Sequence, residues 1–185
     1  MRERGEIQPS LAGSLLLAHP KLRDPNFDRT VILLSLHNAE GAMGVVLNRP
    51  MDKTLGELGS ELAHGVLADV PLYHGGPVSQ EQLILVAWET NPSEGNVKLY
   101  FGIDPEKLIE LREEREVEVR GFLGYSGWSA GQLENEMKRE SWIVAPVSQE
   151  LVGGLEGPEL WRAVVGALSP RWKILADEPE DPERN

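Results

Sequence analysis

Thr30-Val31-Ile32-Leu33-Leu34 is an apolar, largely β-branched run, Asn38 to Gly41 supplies turn formers, and Ala42 to Leu47 resumes an apolar strand that stops at Asn48-Arg49-Pro50. Two strands joined by so short a connection pair antiparallel, because a parallel pair needs a crossover of a dozen residues or more. A doubly wound parallel sheet is thereby disfavoured. Elsewhere strands and helices alternate without a strict βαβ repeat, so the expected class is α+β with a mixed sheet.

Around this hairpin the pattern predicts a buried strand at Leu15 to Ala18 and an ordered loop from Lys21 to Phe27, where Asp24-Pro25-Asn26 favours turns. Leu55, Leu58 and Leu62 share a helical face, and Thr54 with Glu57 has the form of a capping box, which predicts a short helix weakened by Gly56 and Gly59. Strands follow at Leu72 to His74, Leu83 to Trp88 and Val97 to Phe101. Asp104-Pro105 reads as an N-cap with proline at the first helical position. Val117 to Arg120 alternates like a half-exposed strand and leads into a glycine-rich turn from Gly121 to Gly131. A helix from about Ala130 to Lys138, a strand at Trp142 to Ala145 and a helix from Pro158 close the series. The expected organisation is one domain over residues 1–176, with 1–10 loose. The acidic, proline-containing tail from Asp177 to Asn185 sets five acidic residues against Arg184, and is expected to be disordered or loosely docked.

Composition narrows the chemistry. The 185 residues carry a net charge of −12 and no cysteine, which excludes disulfides, thiol nucleophiles and cysteine metal sites. No segment has the length or polarity of a signal peptide or a membrane span, so a cytoplasmic protein is expected. Direct nucleic-acid binding is disfavoured, since the helix after Ser129 carries Glu134, Glu136 and Glu140 beside Lys138 and Arg139.

Gly127-Trp128-Ser129-Ala130-Gly131 matches the G-x-S-x-G nucleophile elbow. In the hydrolase fold that uses it, the histidine base follows the serine, yet His19, His37, His64 and His74 all precede Ser129. Ser129 with Gln132 also has the form of a capping box, in which the hydroxyl accepts from a helix amide. Gly121, Gly124, Gly127 and Gly131 would admit an anion at the next helix, or would simply allow close packing. No histidine pair has metal-ligand spacing, and no metal site or cofactor is expected.

Several blocks together resemble the YqgE/AlgH family of bacterial proteins: Asp24-Pro25-Asn26-Phe27 with Arg29-Thr30-Val31, His37-Asn38, Gly41 to Pro50, Gly75-Gly76-Pro77-Val78, Gly124 to Trp128, Gly131 to Glu134, and Trp142. The resemblance implies a compact single α+β domain with a strongly bent, partly barrel-like sheet flanked by helices. It supplies no catalytic residues; the AlgH name carries a role in transcriptional regulation. The chain departs from the family where Val78 is not followed by an Asp-Arg-Gly-Phe run, and where the acidic ending replaces Gly-His-Ala.

The expectation is therefore a cytoplasmic, non-catalytic ligand- or protein-binding module, monomeric by default, whose partner is a small anion or a protein. Candidate binding residues are Arg29, Asn48, Arg49, Gly124, Gly127, Trp128 and Gln132. The alternatives are a transcriptional regulator, acting directly or through a partner, and a serine hydrolase using Ser129.

Overall fold

A computed structural model describes residues 9–59, 65–91, 93–147 and 154–179. Its strands are β1 (Leu15–Ala18), β2 (Val31–Asn38), β3 (Gly41–Val46), β4 (Pro50–Thr54), β5 (Pro71–His74), β6 (Val78–Asn91), β7 (Asn96–Phe101), β8 (Glu118–Ser129) and β9 (Trp142–Ala145). The helices are α1 (Pro105–Glu114), α2 (Gln132–Lys138), α3 (Gly157–Leu168) and α4 (Pro170–Asp177), with a 3-10 turn at Leu55–Leu58.

The hairpin forms as its residues require: β2 and β3 are antiparallel, Ile32 faces Val46 and Asn38 faces Gly41. Asn38 Oδ1 accepts from the Glu40 amide at 2.8 Å, which closes the tight turn. One strongly bent mixed sheet runs β4-β5-β8-β3-β2-β1-β9, with the β6/β7 pair branching from β8. β8 organises it, pairing parallel with β5 at 121–123, antiparallel with β6, and antiparallel with β3 at 126–129.

This corrects the expected turn at Gly121 to Gly131, because the strand continues to Ser129 and α2 begins only at Gln132. Gly121 and Gly124 serve close approach. A Cβ on Gly121 would lie 2.8 Å from Leu72 Cδ2, and one on Gly124, whose φ is +76°, would lie 2.5 Å from the Gly76 carbonyl oxygen. The helix expected from Thr54 is instead the 3-10 turn, in which Glu57 accepts from the Thr54 amide at 2.7 Å; Leu62 lies outside the described residues. β4 and α4 have no counterpart in the sequence expectations. Met51-Asp52-Lys53 lacks strand alternation and Asp52 has φ +54°, so β4 exists through its pairing with β5.

At the termini, Ser10 Oγ donates to the His37 carbonyl and Arg29 Nη2 donates to the Glu178 carbonyl. Ser10 and Glu178 are thus each tied to the body of the fold, and residues 1–8 and 180–185 lie outside the described residues.

Three apolar clusters follow the strand periodicity. Leu15, Leu17, Val31, Leu33 and Val45 turn toward Leu160, Trp161, Val164 and Val165 of α3. Leu16, Ile32, Leu34 and Val46 point the other way, toward Leu133 of α2 and Phe27. Beyond them Leu72, Leu85, Ala87 and Val119 pack on Leu108 of α1. Each fully buried leucine, isoleucine or valine side chain here contributes roughly 1.5–3 kcal/mol of transfer free energy. Asp104 caps α1, its Oδ1 accepting from the Glu106 amide at 3.0 Å, with Pro105 in the first turn. No helix among the described residues is long and apolar enough to cross a membrane.

Candidate functional site

The seven candidate residues fall in three places. Arg29 and Asn48 form an internal clasp. Asn48, 3% exposed, accepts from the Val31 amide at 2.9 Å through Oδ1 and donates through Nδ2 to the carbonyls of Arg29 (2.9 Å) and Gly157 (2.8 Å). That joins the entry of β2 to the start of α3 and spends every hydrogen bond this amide offers there but its second acceptor lone pair. The buried Arg29 lies over the Trp161 ring at 5.4 Å and reaches Glu178, facing α3 and the α4 end.

Arg49 sits elsewhere, at the end of the hairpin. It donates through Nη1 to the Asn26 carbonyl at 2.7 Å and through Nη2 to those of Pro25 and Asp28 at 3.3 Å, so three backbone oxygens of the turn-forming loop hold it. Burial lowers its pKa from the ordinary value, while Asp28 and Asp24 pull the other way; an arginine stays cationic regardless. Among the described residues no carboxylate stands within ion-pair distance of this guanidinium. Arg49 lines a cavity of about 340 Å³ with Asn26, Val46, His74, Gly76, Pro77 and Gln80. The Arg49 carbonyl accepts from the His74 amide and the Gly75 carbonyl accepts from the Val46 amide, each at 2.9 Å, so the two walls are stitched by backbone. Gly124 supports this wall from behind, where only hydrogen fits against Gly76. The Asp24-Pro25-Asn26, Asn48-Arg49-Pro50 and Gly75-Gly76-Pro77 blocks therefore converge here.

Trp128 and Gln132 belong to the α2 anchor. Glu136 Oε2 accepts from the indoles of Trp128 (2.9 Å) and Trp142 (2.8 Å), and Oε1 accepts from Gln132 Nε2 at 3.1 Å. Phe27 stacks on Trp128 at 6.3 Å and meets Trp142 edge-on at 5.6 Å, which links this anchor to the Arg49 loop. Gly127 is exposed, and a Cβ there would meet only the Tyr125 ring at an ordinary 3.5 Å.

The serine of the elbow motif does not cap α2 as expected. Gly131, at φ +74°, precedes the helix, and both the Ser129 amide (3.0 Å) and hydroxyl (3.2 Å) donate to Gln132 Oε1. The hydroxyl is a donor because the two-residue offset leaves it beside a side-chain oxygen instead of a helix amide. His37 Nδ1 accepts from the Leu11 amide at 2.9 Å and its Nε2 faces Glu134 Oε1 at 2.7 Å, an arrangement that places the ring proton on Nε2. That hydrogen bond holds the Glu134 carboxyl below its ordinary pKa. His19 Nδ1 accepts from the Lys21 amide at 3.1 Å, and its ring meets Trp172 edge-on; His64 lies outside the described residues. Among the described residues no three His, Asp or Glu gather as a metal site would require.

Sequence reasoning passed over His74, Gln80 and Arg120. The first two lie in strand-end positions with no motif of their own. Arg120 sits in a strand expected to be half exposed but is 4% exposed, lying over the rings of Tyr73 at 4.8 Å and Trp88 at 4.9 Å. Its one sequence signal is parity, since it shares a β8 face with the buried Phe122.

A bent mixed sheet with helices on both faces, carrying a polar cavity where its loop motifs meet, defines the class to which comparison with known proteins also leads. A family model described as AlgH-like matches residues 15–173, and the chain belongs to this AlgH-like family. A UPF0301 protein of Chlorobaculum tepidum is 39% identical over 94% of this chain and 95% of the relative, and one of Cytophaga hutchinsonii is 34% identical over 94% and 98%. The crystal structure of protein DIP2367 from Corynebacterium diphtheriae superposes with a TM-score of 0.72 at 25% identity, covering 96% of this chain and 95% of that one. The solution structure of the AlgH protein from Pseudomonas aeruginosa gives 0.65 at 26% identity, covering 98% and 100%.

Proposed function

We propose that this chain is a non-catalytic binding module of the bacterial cytoplasm that takes a small anion, a carboxylate or a phosphate ester, in the Arg49 cavity. The observation that carries the reading is a cation held by carbonyl oxygens alone, in an acidic protein, at the wall of a cavity whose other polar side chains are Asn26, His74 and Gln80. Carbonyls orient a guanidinium without neutralising it, and Asp28 and Asp24 offset its field without standing at ion-pair distance, so charge remains for a ligand oxygen, with Asn26 and Gln80 supplying neutral donors beside it. Arg29, Asn48 and the Trp128 anchor then act by holding the walls in place.

Thermal-shift titration with inorganic phosphate, phosphate monoesters and dicarboxylates tests this. A ligand at a hundredfold excess over its Kd raises Tm by roughly 5–10 °C for a chain of this size. That shift should vanish in Arg49→Gln and weaken in Gln80→Ala, which leaves the loop contacts intact. A wild type that no member of the panel stabilises beyond a matched NaCl control would overturn the proposal.

A further inference from the structure

Arg49 shares its cavity with a second basic group. β4 and β5 pair antiparallel with Pro50 opposite Tyr73, and the His74 amide donates to the Arg49 carbonyl at 2.9 Å, so Arg49 and His74 stand opposite one another at the entry of this pair. Side chains opposed in this way project from one face, and both line the cavity of about 340 Å³. His74 is exposed, and its ring has no hydrogen-bond or ion-pair partner among the described residues. On its other side β5 borders β8, where the residue paired with His74 is the uncharged Leu123.

The remaining wall comes from a long bulge in β6. Val78 faces Tyr125 and Leu83 faces Leu123, so residues 79–82 stand against Gly124 alone. Within the bulge Ser79 has a left-handed φ of +45°, a conformation that a residue with a Cβ holds only where the fold enforces it. The bulge carries exposed Gln80 to the cavity, its Cα so near Gly124 that a Cβ there would lie 3.2 Å away.

Of the residues lining the cavity only Arg49 and His74 carry a charge or can acquire one; Asp24 and Asp28, which offset Arg49, belong to the loop that it grips. Two cations opposed across a strand pair repel while the cavity is empty, and an anion lying between them reverses the sign. Entry of an anion therefore favours the protonated imidazole. A carboxylate offers one charge and two oxygens, which Arg49 alone can meet. A phosphate monoester offers close to two charges and three terminal oxygens, enough to use Arg49, His74 and the amides of Asn26 and Gln80 together.

Building on the anion reading above, we propose that the ligand of the Arg49 cavity is a phosphate monoester, bound as its dianion between Arg49 and a His74 imidazole that takes up a proton from solvent as the ligand enters. Calorimetric titration of the full chain at pH 7.5 with glycerol 3-phosphate, and with glycerate as a carboxylate of similar size, tests both parts. The ester should bind about tenfold or more tightly than glycerate. Its apparent enthalpy should differ between HEPES and Tris buffers by the amount that uptake of about half a proton requires, because an ordinary imidazole is mostly neutral at this pH and an adjoining dianion favours its charged form. His74→Gln, which alters an exposed side chain, should abolish that uptake and weaken the ester about fivefold, with little effect on glycerate. Glycerate binding as tightly as the ester, an enthalpy independent of buffer, or uptake that persists in His74→Gln, which would put the proton on the ligand, would each overturn the proposal. The first two need no variant, and all three leave the anion reading in force where Arg49→Gln still loses binding. If neither ligand binds, the proposal fails, and the wider thermal-shift panel decides the anion reading by itself.

Discussion

Gly75 and Gly131 show how differently one residue type is used in this chain. A Cβ on Gly75 would lie 2.2 Å from the Gly124 carbonyl oxygen and 3.0 Å from Phe122 Cβ, so neither neighbour can yield without moving a strand. Gly131 has open space around it and only a left-handed φ of +74° to satisfy. Gly75→Ala should therefore cost at least about 3 kcal/mol, through overpacking against backbone. Gly131→Ala should cost only about 1 kcal/mol, the penalty of a left-handed alanine. Urea unfolding midpoints at constant slope measure both, and equal midpoints would contradict the packing argument. The same distinction governs polar residues: Asn48 and Arg49 are neighbours in sequence, yet one saturates buried backbone and the other lines a cavity.

At the scale of elements, α2 shows a helix held by side chains more than by propensity. Seven residues make a helix too short to be stable alone, and it buries Leu133 fully and Met137 in part. Two carboxylates fasten it, Glu136 to a pair of indoles and Glu134 to His37. Because the His37 hydrogen bond depresses the Glu134 pKa in the folded state, its contribution is present above the unfolded carboxyl value of about 4.3 and is lost as pH falls through the lower folded value. The Tm difference between wild type and Glu134→Ala should be constant above about pH 5 and should shrink below about pH 4. A difference that grows on acidification would refute the assignment. By contrast α1 is legible from sequence, with its Asp104 cap, its proline and its buried Leu108 all local features. β4 is not legible, since its only reason to be a strand is the edge that β5 offers.

For the whole molecule, the net charge of −12 sets a repulsive background in which Arg29, Arg49 and Arg120 are drawn inward by backbone oxygens and aromatic rings. Among the described residues the surface ion pairs are few and exposed, so screening should relieve more repulsion than it removes attraction. Raising NaCl from about 0.02 to 0.2 M should increase Tm by a few degrees, read by circular dichroism; a fall would show that the ion pairs dominate. Local chemistry in the sequence was sufficient for the β2/β3 hairpin, the α+β class, the capped α1 and the turn-forming loop at Asp24, because each depends on residues near one another in the chain. The path of β8 through three glycines, the burial of Arg120 and the separation of Arg29 from Arg49 were decided only by tertiary structure. Glycine weakens a strand by local propensity but is required where β5 and the Gly75-Gly76 segment press against it, and an arginine reads as exposed until two distant aromatic strands close over it.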